Sequence, residues 1–199
     1  MYKTFVIVFL FLFGVVGFAQ TAKLNESAPD FKLVDSNGKE HSLSDFKDKI
    51  VVLEWINYDC PFVKKHYDSK NMQTLQEKYT KQGLIWLTIC SSVESKQGNF
   101  TNDEINSRSK KHNAKFTAYL VDANGKVGKM YGAKTTPHMY IINKEGKLVY
   151  AGGIDDKPST DLEDINGAKN YVSLALDELL AGKNVSFQSS KAYGCSVKY

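Results

Sequence analysis

The chain has 199 residues, with 26 lysines and arginines against 22 aspartates and glutamates, for a formal net charge of +4. Arg108 is the one arginine and the lysines are scattered apart from Lys64-Lys65 and Lys110-Lys111, so bidentate phosphate recognition is poorly supplied and nucleic acid is excluded as a partner. Three cysteines, Cys60, Cys90 and Cys195, are too sparse for a disulfide scaffold, and their odd number leaves at least one thiol unpaired.

The first nineteen residues read as a signal peptide. Lys3 is a positive n-region, Phe5 to Val16 is almost wholly apolar, and Gly17-Phe18-Ala19 places small residues at the cleavage positions, so cleavage is expected before Gln20. The apolar run is short for a spanning helix, which needs about 20 residues. The mature chain is then an exported, periplasmic or extracellular protein with no membrane span. It divides into one domain over residues 20–182 and a tail over residues 183–199 that carries Cys195.

Phe31 to Asp35 alternates like a strand, Ser36-Asn37-Gly38-Lys39 is a hairpin turn, and Leu43 to Phe46 makes a short helical turn. Ile50 to Asn57 is the first core strand. Pro61 to about Gln82 reads as a long helix with a weak step at Asp68-Ser69-Lys70, and Gly83 stops it. Leu84 to Cys90 is a second buried strand. Thr101-Asn102-Asp103-Glu104 fits a capping box opening a polar helix that reaches Asn113. Ala118 to Asp122 is a third strand, followed by a short helix ending near Gly132. Met139 to Asn143 and Lys147 to Ala151 flank a hairpin turn. An apolar stripe from Ala168 to Leu180 forms the last helix. Strands separated by helices imply a parallel centre, and the closing hairpin implies an antiparallel edge. The class is α/β, a mixed sheet with helices on both faces.

Cys60 lies between a buried strand and a helix that Pro61 is suited to open. Unpaired N–H groups and the dipole at that end favour a negative charge, and such a position lowers a thiol's pKa from ~8.5. Lys64 and Lys65 push the same way, so Cys60 is the candidate nucleophile. Cys90 reads as a buried strand thiol, yet it sits at the same end of the parallel strands and is a second candidate partner for Cys60. Glu54, midway along a buried strand, needs a partner or a raised pKa; it is a candidate proton shuttle, with simple pairing to a lysine as the alternative.

Four stretches, over roughly residues 24 to 182, resemble the thioredoxin-fold redoxins, in particular the peroxiredoxin-like proteins of the alkyl hydroperoxide reductase/thiol-specific antioxidant type. They are Ala28-Pro29-Asp30-Phe31 with Asp35-Ser36-Asn37-Gly38-Lys39, Val51 through Pro61, Thr135 through Asn143, and Lys144-Glu145-Gly146-Lys147. The resemblance implies a thioredoxin-like fold with an N-terminal β-hairpin extension and a thiol-dependent oxidoreductase, a disulfide reductase or an antioxidant peroxidase. It also implies a cis Pro137 that places the Thr136 backbone beside Cys60, where an extended thiol substrate pairs. Asn57, Pro61, Thr136 and Pro137 are the implied substrate-binding residues.

The departures bear on mechanism. Val63 stands where thioredoxins carry their second cysteine, Asn57 where peroxiredoxins carry Thr or Ser, and Leu53 where they carry Pro. Their Arg is replaced by the proline loop. The ending Gly194-Cys195 is similar to a peroxiredoxin-like subgroup closing with a Gly-Cys pair. In the implied cycle Cys60 attacks a disulfide or a peroxide, Cys195 resolves the product, and an external dithiol protein reduces the Cys60–Cys195 bond. No cofactor and no metal are called for. The alternative reading is a copper-carrying or non-catalytic binding module on the same scaffold, with His66 and His138 joining Cys60.

Overall fold

A computed structural model describes residues 21–199. The signal-peptide expectation falls on residues 1–19, outside the described residues.

Strand formation follows the apolar runs. Seven strands form one sheet: β1 (Lys32–Asp35), β2 (Glu40–Ser42), β3 (Val51–Trp55), β4 (Ile85–Cys90), β5 (Ala118–Val121), β7 (His138–Ile142) and β8 (Leu148–Gly152), in the order β2-β1-β5-β4-β3-β7-β8. β3, β4 and β5 run parallel, and β7 and β8 add antiparallel on one side. The N-terminal hairpin β1–β2 adds on the other side through an antiparallel pairing of β1 with β5.

The central strands carry side chains into two cores, one on each face of the sheet. Val52 and Ile56, Trp86, and Met139 and Ile141 join one cluster; Val51, Leu53 and Trp55, Leu87 and Ile89, and Tyr140 and Ile142 join the other. Period-2 alternation produces this division. Each fully buried aliphatic side chain contributes about 1.5–3 kcal/mol. The first core also receives α1 (Pro61–Asp68), α2 (Asn71–Thr80), α3 (Asn102–Lys111) and α5 (Tyr171–Leu180), and the second receives α4 (Lys126–Tyr131). The capping box expected at Thr101 is formed, with Thr101 Oγ1 accepting from Glu104 N.

The single helix expected over 61–82 is instead two. Lys70 takes a left-handed conformation, φ +61°, between α1 and α2. Ser69 explains the break: its hydroxyl donates to the His66 carbonyl at 3.3 Å and accepts from Asn71 N at 3.4 Å, offering the backbone local bonds that compete with the helix.

The tail does not hang free. Its residues Cys195–Ser196 form β9, which pairs antiparallel with β6 (Thr135–Thr136) in a separate two-stranded sheet. Ala151 N donates to the Gln188 carbonyl, Val197 N to the Lys134 carbonyl and Val93 N to the Lys198 carbonyl, so the tail is stitched to the domain along its length. Among the described residues, no helix is long and apolar enough to cross a membrane.

Candidate active site

Cys60 is the N-cap of α1, with Pro61 at the first helical position, and its carbonyl accepts from Val63 N and Lys64 N. The side chain is fully buried. The Thr136–Pro137 peptide bond is cis, as expected. This loop brings the Thr136 carbonyl to Cys60, whose thiol donates to it at 3.1 Å. Thr136 stands opposite Cys195 in the β6–β9 pair, which brings Cys195 close enough to Cys60 for each thiol to act on the acidity of the other. All three cysteines are free thiols.

Burial alone would push the Cys60 thiol up. The side chains of Cys195 and Thr136 and the backbone N–H groups of Cys195 and Val63 outweigh it, so the thiol lies below its ordinary value. These donors stabilise a sulfur anion. The Thr136 hydroxyl is buried with no hydrogen-bond partner among the described residues. The Cys195 thiol moves the other way, pushed up to about 11 by burial and then by the hydrogen bond and charge of Cys60. Of the two sulfurs, Cys60 is therefore the more readily ionised.

Asn57 serves the turn into Cys60: its Oδ1 accepts from Asp59 N at 3.0 Å, its carbonyl accepts from Cys60 N, and its Nδ2 donates to the Gln97 carbonyl at 3.3 Å. Glu54 is buried with four donors on its carboxylate: Tyr67 Oη on Oε1 at 2.9 Å, and Trp86 Nε1, Gln76 Nε2 and Thr88 Oγ1 on Oε2 at 2.7, 3.0 and 3.1 Å. Burial raises its pKa against these bonds. Among the described residues no hydrogen bond joins Glu54 to Cys60; its partners are three aromatic and polar side chains from α1, α2 and β4, and Thr88 of the same strand β4. Lys65 also points elsewhere, its ammonium donating to the Lys157 carbonyl at 2.8 Å. Cys90 donates to the Gly98 carbonyl at 3.3 Å, and burial raises its pKa. Among the described residues no group of three or more His, Cys, Asp or Glu is disposed to hold a metal ion.

A model of the AhpC/TSA family matches residues 24–151, well over half of the chain and both strands of the proline loop with Cys60. The chain belongs to the AhpC/TSA family. The thiol-disulfide oxidoreductase ResA of Bacillus thuringiensis is 28% identical over 153 residues, covering 72% of this chain and 83% of that one. A conserved protein from Geobacillus kaustophilus superimposes with a TM-score of 0.76 at 28% identity, covering 89% of this chain and 92% of its own. The exposed lipoprotein thioredoxin of Streptococcus pneumoniae gives 0.50 at 27% identity, with 69% and 96% covered. The thioredoxin-like α/β fold and the redoxin membership expected from the sequence both hold, and thiol-dependent oxidoreductase is the class of the named relatives.

This AhpC/TSA-family chain keeps part of its site outside the matched stretch, because α5 and the tail follow residue 151. Sequence reasoning missed His66 as a tail contact, Asp155 and Tyr193. His66 Nε2 lies 3.1 Å from Tyr193 Oη, which donates to Asp155 Oδ1 at 2.5 Å. An isolated tyrosine in a polar tail carries no periodic signal. Arg108 also arrives beside the site, its Nη1 pairing with Asp59 Oδ1 at 2.8 Å, one residue from Cys60.

Proposed function

We propose that this family member is an exported thiol-disulfide oxidoreductase in which Cys60 is the nucleophile and Cys195 completes the cycle within the chain. The observation that carries the reading is the placement of Cys195 directly opposite Thr136, the residue whose carbonyl accepts from the Cys60 thiol; the Cys60 pKa is lowered and that of Cys195 raised. The ResA name of the relatives supports the chemistry. The apolar leader over residues 5–16 supports export.

The Cys60 thiolate attacks one sulfur of a disulfide, forming a mixed disulfide and expelling the other sulfur as a thiolate. Cys195 then gives up its proton and attacks the Cys60 sulfur, which forms the Cys60–Cys195 bond and releases the second substrate thiolate. An external dithiol protein returns two electrons and restores both thiols. A hydroperoxide would enter through a Cys60 sulfenate, with Cys195 expelling water. The disulfide reading is favoured because Thr136 already pairs with an extended strand, the shape of a peptide substrate. That strand is the chain's own tail, so an incoming peptide must take its place. Thr136 and Pro137 line the slot, Pro61 starts the helix that holds Cys60, and Asn57 holds the turn. Glu54 is assigned no proton-transfer step.

Peptide mass spectrometry after one equivalent of glutathione disulfide, or of hydrogen peroxide, tests the reading. A Cys60–Cys195 linked peptide is expected. A Cys60–Cys90 link, or a Cys60 adduct that persists with Cys195 free, overturns it.

A further inference from the structure

Two residues before Cys195 the tail drives an aromatic ring into the domain. Tyr193 is 8% exposed. Its ring meets Phe62 edge-on with centroids 5.9 Å apart, and Lys65 Nζ lies 5.9 Å from its centroid. Its hydroxyl reaches two polar side chains more deeply buried than itself, His66 and Asp155.

The hydrogen bonds there run one way. The amide nitrogen of Asn71 can only donate, and it does so to His66 Nδ1 at 2.9 Å. His66 therefore carries its proton on Nε2, the tautomer assigned from this network. Nε2 donates to Tyr193 Oη, and Tyr193 donates to Asp155 Oδ1. Burial holds the imidazole neutral, its pKa pushed down to about 3. The His66 Nε2 hydrogen and the Tyr193 hydroxyl hydrogen each have one acceptor in the relay. Among the described residues Asp155 Oδ2 has no hydrogen-bond partner, and it stands 4.0 Å from His66 Nε2. When Tyr193 leaves, a buried N–H and a buried carboxylate lose their shared partner, and an unmade buried bond costs more than a made one contributes.

The link from this anchor to Cys195 has no slack. Gly194 adopts φ +130°, and a Cβ there would fall inside contact distance of the Thr136 carbonyl. Beyond Cys195 the tail is held again, by Val197 N on the Lys134 carbonyl and by Tyr199 Oη on the Ala133 carbonyl at 2.7 Å.

We propose that Tyr193, seated on His66 and Asp155, is a positioning residue that latches the tail in the register placing Cys195 against Cys60 and closing Cys60 to solvent. The closing effect stands on the geometry alone; the delivery of Cys195 rests on the function proposed above. The latch gates the site: an external disulfide reaches Cys60 after Tyr193 withdraws, and the tail returns to resolve the product.

The test uses the reduced full-length protein and its Tyr193→Phe and Tyr193→Leu variants. Alkylation of Cys60 by iodoacetamide, followed by peptide mass spectrometry, reports closure. Tyr193→Leu is expected to speed it by roughly tenfold or more. Tyr193→Phe, which keeps the ring against Phe62 and loses both hydrogen bonds, is expected to speed it by less. The yield of Cys60–Cys195 link after one equivalent of glutathione disulfide falls in the same order. A purely structural role would lower the melting temperature and leave Cys60 alkylation unmoved. Alkylation within twofold of wild type in both variants overturns the latch; if the leucine variant does not fold, the phenylalanine variant alone decides. A wild-type protein that forms no Cys60–Cys195 link ends the function reading, while a Tyr193-dependent alkylation rate would still uphold the closure.

Discussion

Cys195 stands directly opposite Thr136 in the antiparallel pair that the tail makes with the proline loop. The Thr136 carbonyl accepts from Cys60 at the same time. One residue thus contacts the Cys60 thiol and pairs with the strand that carries Cys195.

Removing the Cys195 sulfur should weaken the anion at Cys60. In Cys195→Ala a side-chain donor that lowers the Cys60 pKa is lost. The pH at which Cys60 alkylation reaches half its maximal rate is expected to rise toward the ordinary ~8.5. Alkylation rate against pH measures it, and an unchanged midpoint would show that Cys195 does not set the acidity.

Gly194→Ala should open the site without touching a cysteine. Its Cβ would collide with the Thr136 carbonyl, and φ +130° disfavours any side chain. The β6–β9 pair that would have to shift has two residues on each strand. Faster Cys60 alkylation, by several-fold, and a smaller yield of the Cys60–Cys195 link are expected in the mass-spectrometric assay.

Glu54→Gln should cost stability and leave Cys60 chemistry in place. The carboxylate accepts from four donors, and an amide nitrogen would face some of them with a hydrogen of its own. The expected loss is about 1–3 kcal/mol, read from denaturant unfolding. The pH midpoint of Cys60 alkylation is expected to stay put; a clear shift would restore the proton-shuttle role to Glu54.

Acid should weaken the fold through His66. Its folded pKa is pushed down, first by burial and then by the charge of Lys65, to about 3 from an unfolded value of 6.5. The unfolded chain takes up the proton first, so the His66 contribution is fully present above pH 6.5 and is lost as pH falls toward 3. Asp155 and Glu54, whose pKa values burial raises, titrate in the opposite sense and are common to wild type and a His66→Gln variant. The stability difference between the two proteins is therefore expected to shift against wild type from pH 7 to pH 4, as thermal melts at each pH would show. A difference that is flat over that interval would mean that His66 takes up its proton at the same pH in the fold as in the unfolded chain.

Local signals in the chain were enough for most of the sheet and helices and for singling out Cys60 as the candidate nucleophile. Continuous apolar runs marked β3 and β4, Thr101 and Glu104 capped α3, and Cys60-Pro61 marked a strand-to-helix junction. The redoxin motifs placed Pro137 before any geometry was known. The break at Lys70 was half legible, as a weak step at Asp68-Ser69-Lys70. Tertiary structure alone decided where the tail goes. Thr136 and Cys195 pair across a long separation through strands too short to carry a period, and the partners of Tyr193 and Glu54 come from segments far apart in the chain. Buried polar groups find such partners because leaving them unsatisfied is costly, and that cost is paid only once the whole chain has folded around them.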